Sequence, residues 1–92
     1  MDLIWDESKR QSNLRKHGLD FRDAERVFCG PLLLFEDDRE EYGEERMIAV
    51  GLLDALVVLI VHVESKDCIR VISMRKANNH ETELFFKNAE IG

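Results

Sequence analysis

The chain has 92 residues, of which 45% are apolar and 35% charged, and its formal net charge is -6. That length suits one core and is too short for two, so residues 1–92 read as a single domain, and the composition excludes a disordered chain. The longest apolar run, Met47 to Val63, is broken by Asp54 and falls short of the ~20 residues a membrane span needs.

The opening MDLIWDESKR has no apolar signal core, which predicts a cytoplasmic protein without a membrane partner. Leu3-Ile4-Trp5 reads as a short edge strand. Asp6 caps a polar helix running to about His17, and Gly18 takes the left-handed turn that ends it. Asp20 caps a second helix, whose Phe21, Ala24, Val27 and Phe28 form a core-facing stripe, and Gly30-Pro31 stops it. Leu32 to Phe35 is strand-like, and an acidic loop follows with Gly43 as its turn.

Arg46–Leu53 and Leu56–Val63 predict two strands around a tight turn at Asp54-Ala55, and Cys68–Arg75 predicts a third. Asn78, with Glu81 three positions on, caps a last helix that packs Leu84 and Phe85 inward. The expected fold class is compact α+β: two N-terminal helices, an antiparallel meander of about four strands, and a C-terminal helix. Cys29 and Cys68 match no metal-ligand spacing and are expected to be buried thiols. No cluster of His, Cys or carboxylates has the form of a metal site, and no cofactor is expected.

Charge is unevenly spread. Glu36 to Glu45 holds seven acids and one Arg, leaving twelve basic and twelve acidic residues elsewhere. Net acidity therefore belongs to one loop and does not exclude an anionic ligand. Residues 9–17, KRQSNLRKH, contain no acid, and helical spacing places Lys9, Asn13, Lys16 and His17 on one face. That row of cations and donors suits a phosphate-bearing ligand, or else a solvated face paired with the acidic loop. Strand alternation over CIRVISMRKA puts Ile69, Val71, Ser73 and Arg75 on one side and Arg70, Ile72 and Met74 on the other. Arg70, inside an apolar strand, must be paired or face a wet cleft, where its planar fork matches phosphate oxygens. Together these groups suit cleavage of RNA without a metal, which needs a base for the 2′-hydroxyl, cations for the charge on phosphorus and an acid at the leaving oxygen.

Three stretches carry a family resemblance. WDESKRQSNLRKHGLDFRDAERVF resembles the opening of the BrnT toxins, W-D-x-x-K-x-x-x-N-x-x-K-H-G-[LIV]-x-F-x-x-A. YGEERMIAVGLLD is similar to the family's Y-x-E-x-R-x-x-x-x-G, and IRVISMRKA to its I-R-[VI]-I-S-A-R-K-A. The resemblance implies a RelE-like fold and a ribonuclease toxin of a type II toxin–antitoxin pair. It also implies a BrnA-type ribbon-helix-helix antitoxin as partner, with operator DNA bound only through that antitoxin.

Carried over by position, the motif residues are Lys9, Asn13, Lys16, His17 and Gly18, then Arg46, then Arg70, Ser73, Arg75 and Lys76. The catalytic candidates are Lys9 or His17 as base or acid, with Arg70 and Arg75 on phosphate. Asn13, Lys16, Arg46, Ser73 and Lys76 are the candidates for holding RNA. The chain departs from the family pattern at Met74, at Ala55 in the hairpin turn, and at Asn78-Asn79-His80-Glu81, where the family is basic. A rival reading is a non-catalytic module that docks an acidic segment on the basic stripe and a basic arm on the acidic loop. Direct DNA binding has less support, since nothing resembles a helix-turn-helix reader.

Overall fold

A computed structural model describes residues 2–89. Strand β1 (Asp2–Trp5) leads into helix α1 (Glu7–His17), then a 3₁₀ turn (Phe21–Asp23) and a short helix α2 (Ala24–Phe28). Strands β2 (Leu32–Glu36), β3 (Met47–Leu53), β4 (Leu56–Glu64) and β5 (Cys68–Lys76) follow, and α3 (Asn79–Asn88) ends the described fold. Among the described residues no helix is long and apolar enough to cross a membrane.

The strands form one sheet in the order β1-β5-β4-β3-β2. The four later strands make the expected antiparallel meander: short turns join β3 to β4 and β4 to β5, and the acidic loop joins β2 to β3. The expectation of four strands falls short, however. β1 pairs in parallel with the far edge strand, Asp2 opposite Cys68 through Trp5 opposite Val71, so the sheet is five-stranded and mixed. The second N-terminal helix is also shorter than expected: Asp20 caps a 3₁₀ turn by accepting from the Arg22 amide, and only five residues of α-helix follow.

The sheet is packed on both faces. One face buries Val58, Ile60, Val71 and Met74 against Phe21, Ala24 and Val27, and the other buries Val50, Leu59 and Val61 against Phe85 of α3. Phe85 is buried as expected, whereas Leu84 is exposed. Gly51 lets α2 close on the sheet, since a Cβ there would sit 2.8 Å from Val27 Cγ1 and 2.9 Å from Leu32 Cδ2. In the β3–β4 hairpin the left-handed residue is Asp54 (φ 55°), so Ala55 carries no such strain. The cysteines correct a further expectation: Cys29 is exposed, and Cys68 is half-buried with its sulfur 3.1 Å from Ser65 Oγ.

One irregularity in β5 positions the basic residues. Val61 pairs with Ser73 but the next residue, His62, pairs with Val71, so Ile72 is an extra residue in the strand. Such a bulge shifts the alternation of side chains by one place. Val71 and Met74 therefore share the α2 face, and Arg70, Ser73 and Arg75 share the α3 face with their partners Val63, Val61 and Leu59. Strict alternation had separated Arg70 from the other two.

Candidate functional site

Helix α1 contains one apolar residue, Leu14, which is exposed; its buried positions are Arg10 and Asn13. Asp6 caps it by accepting from the Ser8 and Lys9 amides, and Gly18 ends it at φ 69°, both as the sequence suggests. The helix is held by polar contacts in place of an apolar stripe. The Arg10 guanidinium contacts both oxygens of Glu7 and both of Asp20, which ties the helix to the following turn. In consequence the Glu7 carboxyl is held down at about 2.

Asn13 performs a backbone's work. β1 ends opposite Val71, which leaves the edge of β5 unpaired at Met74. There the Asn13 amide donates to Met74 O (2.8 Å) and Leu19 O (3.1 Å), and its oxygen accepts from Met74 N (3.1 Å). The side chain thus continues the strand pairing where the strand stops. Expected among the RNA-holding residues, Asn13 is buried, with both amide hydrogens and its oxygen engaged in the fold.

Lys9, Lys16 and His17 are exposed on α1 and form no ion pair among the described residues. His17 lies eight residues beyond Lys9, about 12 Å further along the helix axis. Lys76 is exposed at the end of β5, and Ser73 is half-buried on the face shared with the two arginines. The sequence expects Arg70 and Arg75 to hold phosphate; they share one face of the sheet, and each meets a different carboxylate. Arg75 is held by Glu81, each terminal nitrogen 2.8 Å from one carboxylate oxygen, while Glu81 also closes the cap of α3 by accepting from the Asn78 amide. This contact holds the Glu81 carboxyl below the usual glutamate range.

Arg70 has a different partner. Its Nη2 lies 2.6 Å from Glu44 Oε2 in the acidic loop, and Arg46 Nε lies 3.7 Å from the other oxygen of the same carboxylate. Glu44 is therefore ionised well below the usual range, first through the Arg70 hydrogen bond and then through the charges of Arg70, Arg46 and Lys9. Three of the cations singled out in the sequence, from three separate segments, act on one carboxylate.

The loop that brings Glu44 there is built rather than loose. Asp37, whose carboxylate is shut off from solvent, accepts from Arg39 at 2.7 Å on each oxygen and from the Tyr42 hydroxyl at 3.3 Å. Gly43 turns the chain at φ 74°, and the Arg46 guanidinium lies 4.0 Å above the Tyr42 ring. The hollow of about 570 Å³ inside this loop is lined by all seven of its acids together with Tyr42, Gly43 and Arg46, and from its wall Glu44 reaches Arg70 of β5. Among the described residues no group of three His, Cys, Asp or Glu is placed to hold a metal ion.

Sequence reasoning named Lys9, Arg46 and Arg70 but missed Glu44, although it stands in the Y-x-E-x-R motif that supplied Arg46. Tyr42, Glu44 and Arg46 stand close together in that motif on either side of the Gly43 turn, and the turn brings Arg46 over the Tyr42 ring and next to Glu44.

A family model for the ribonuclease toxin BrnT of type II toxin–antitoxin systems matches residues 5–81. The chain belongs to that family. The match begins at Trp5 and ends at Glu81, so it includes the basic helix, the Glu44 loop and the strand carrying Arg70 and Arg75. Membership makes the protein a ribonuclease toxin of such a pair, with an antitoxin as partner and RNA as target. No curated protein is similar enough in sequence to be matched with it.

Proposed function

We propose that this BrnT-family toxin cuts RNA without a metal ion, by attack of the 2′-hydroxyl on the adjacent phosphorus. One observation supports the reading above the others: Arg70 Nη2 at 2.6 Å and Arg46 Nε at 3.7 Å approach the two oxygens of one carboxylate, Glu44, on which the charge of Lys9 also acts. A carboxylate and a phosphate offer similar oxygens to a guanidinium, so a site that holds one is suited to the other. In this reading Arg70 and Arg46 grip the scissile phosphate and stabilise the charge that develops there. Lys9 protonates the leaving 5′-oxygen.

Arg75 has its guanidinium on Glu81 and acts by anchoring α3, and Asn13 is part of the scaffold. Ser73, Lys16 and Lys76 contact the flanking strand. His17, at the far end of α1, takes no chemical role. The partner is a BrnA-type ribbon-helix-helix antitoxin, and operator DNA is bound only through it, since nothing in this chain resembles a helix-turn-helix reader.

The test is cleavage of RNA by the purified toxin in EDTA, with products ending in a 2′,3′-cyclic phosphate. Arg70→Ala should lower kcat/KM at least ~10-fold, a loss of ~1.4 kcal/mol of transition-state stabilisation. A strict need for a divalent ion, or full activity in that variant, would refute the mechanism. If the intact chain leaves RNA uncut but still co-purifies with an antitoxin, the docking-module reading takes its place.

A further inference from the structure

Resting on that reading, we infer that Glu44 is the catalytic base: it takes the proton from the 2′-hydroxyl while Arg70 and Arg46 hold the phosphate beside it. The attack needs a proton acceptor within hydrogen-bond reach of a group that is itself next to phosphorus. Lys9 and the arginines offer hydrogen-bond donors and no acceptor. His17 is displaced along α1 by more than two turns. Of the groups at the cation cluster, the Glu44 carboxylate is the one able to act as base. The Arg70 hydrogen bond and the neighbouring charges keep it ionised, and a phosphate that takes over those cations would restore its basicity.

Geometry distinguishes a base from an inert ion pair. Seven acids share the loop, yet Glu44 alone reaches the arginines of the sheet, and the contacts that aim it belong to other residues: Asp37 with Arg39 and Tyr42, and Arg46 stacked on Tyr42. Such pre-ordering is what a catalytic group requires. Arg46 Nε adds a second sign: it is shut off from solvent and has no hydrogen-bond partner, although Glu44 Oε1 lies just beyond reach at 3.7 Å. An unmet buried donor at a site fits a hydrogen bond that closes once substrate is bound.

In the step itself, the 2′-oxygen gives its proton to Glu44 and forms a bond to phosphorus. The phosphorus–5′-oxygen bond breaks, and the leaving oxygen takes a proton from Lys9. The products are a 2′,3′-cyclic phosphate and a 5′-hydroxyl, with no oxidant or metal consumed.

The same contact could make Glu44 a plug that occupies the phosphate position, and the two roles differ in sign. The experiment is steady-state cleavage of a short RNA by the wild-type chain and by Glu44→Gln, Glu44→Asp and Glu45→Gln, with folding checked by circular dichroism. A base predicts that Glu44→Gln loses about 100- to 10,000-fold in kcat with KM little changed. Its residual rate should then rise with hydroxide concentration, Glu44→Asp should recover part of the rate, and Glu45→Gln should match wild type. A plug predicts the reverse for Glu44→Gln: lower KM and an undiminished or higher kcat. If wild type cuts RNA, Arg70→Ala is impaired and Glu44→Gln cuts normally, the base assignment falls while the ribonuclease reading stands. If the wild-type chain does not cut RNA at all, both fall together.

Discussion

Replacing Asn13 by Ala should destabilise the fold severely and alter cleavage only through that loss. Three hydrogen bonds vanish, to Met74 O, Met74 N and Leu19 O, all at a position 8% exposed. Each made bond contributes ~1 kcal/mol net, and each buried group left unpaired costs ~1–3 kcal/mol. Water entering at the sheet edge recovers part of this, so a total of about 2–4 kcal/mol is expected. Against the ~5–14 kcal/mol typical of a chain this size, that is a large fraction. At about 4–8 °C per kcal/mol, Tm should fall by about 8–32 °C. Asn13→Asp should be no better, because its second oxygen would face two carbonyls where the amide donates. The assay is thermal unfolding followed by circular dichroism, with RNA cleavage measured well below each Tm. A Tm within 3 °C of wild type together with a large loss of kcat/KM would refute the reasoning and return Asn13 to the RNA-binding surface.

Gly51→Ala forces a methyl group to within 2.8–2.9 Å of Val27 and Leu32 with the Pro31 carbonyl at 3.3 Å, so α2 must lift from β3. A loss of about 1–3 kcal/mol in urea unfolding is expected, and an unchanged midpoint would show that α2 yields freely. Stability should also fall in acid. Glu7 titrates at about 2 in the folded chain against 4.5 when unfolded, so its contribution is complete above about pH 4.5 and is lost as the pH drops towards 2. Urea midpoints at pH 6, 4 and 3 should show this decline, and it should be shallower in Glu7→Gln.

Much of the architecture was legible because it is local. The caps at Asp6, Gly18 and Asn78, the capping box with Glu81, the hairpin at Asp54-Ala55 and the apolar strands β3 to β5 are short-range signals, and the structure contains each of them. What could not be read depends on contacts distant in sequence. The pairing of β1 with β5 joins residues 66 positions apart, and no turn residue announces it. The extra residue at Ile72 has no Gly or Pro to mark it, yet it decides which face Arg70 occupies. The helical stripe misled for a related reason. Periodicity shows which residues share a face but not where that face points, and in α1 a polar pair, Arg10 and Asn13, points inward.

The candidate site shows the same limit in its electrostatics. Summed by composition, the segment from Glu36 to Glu45 is a block of negative charge set apart from the basic segments. Folded, it divides. Asp37 is turned inward and neutralised by Arg39, Glu44 is turned towards Arg70 and Arg46, and Glu36, Asp38, Glu40, Glu41 and Glu45 remain exposed. A carboxylate at hydrogen-bond distance from a guanidinium acts at full strength, whereas exposed acids more than ~8 Å away are largely screened at physiological salt. An acidic protein can therefore hold a phosphate, because the charges that matter to it are the few in contact. The loop's net charge is felt only within that short range, and a single residue within it, Glu44, governs what happens at contact.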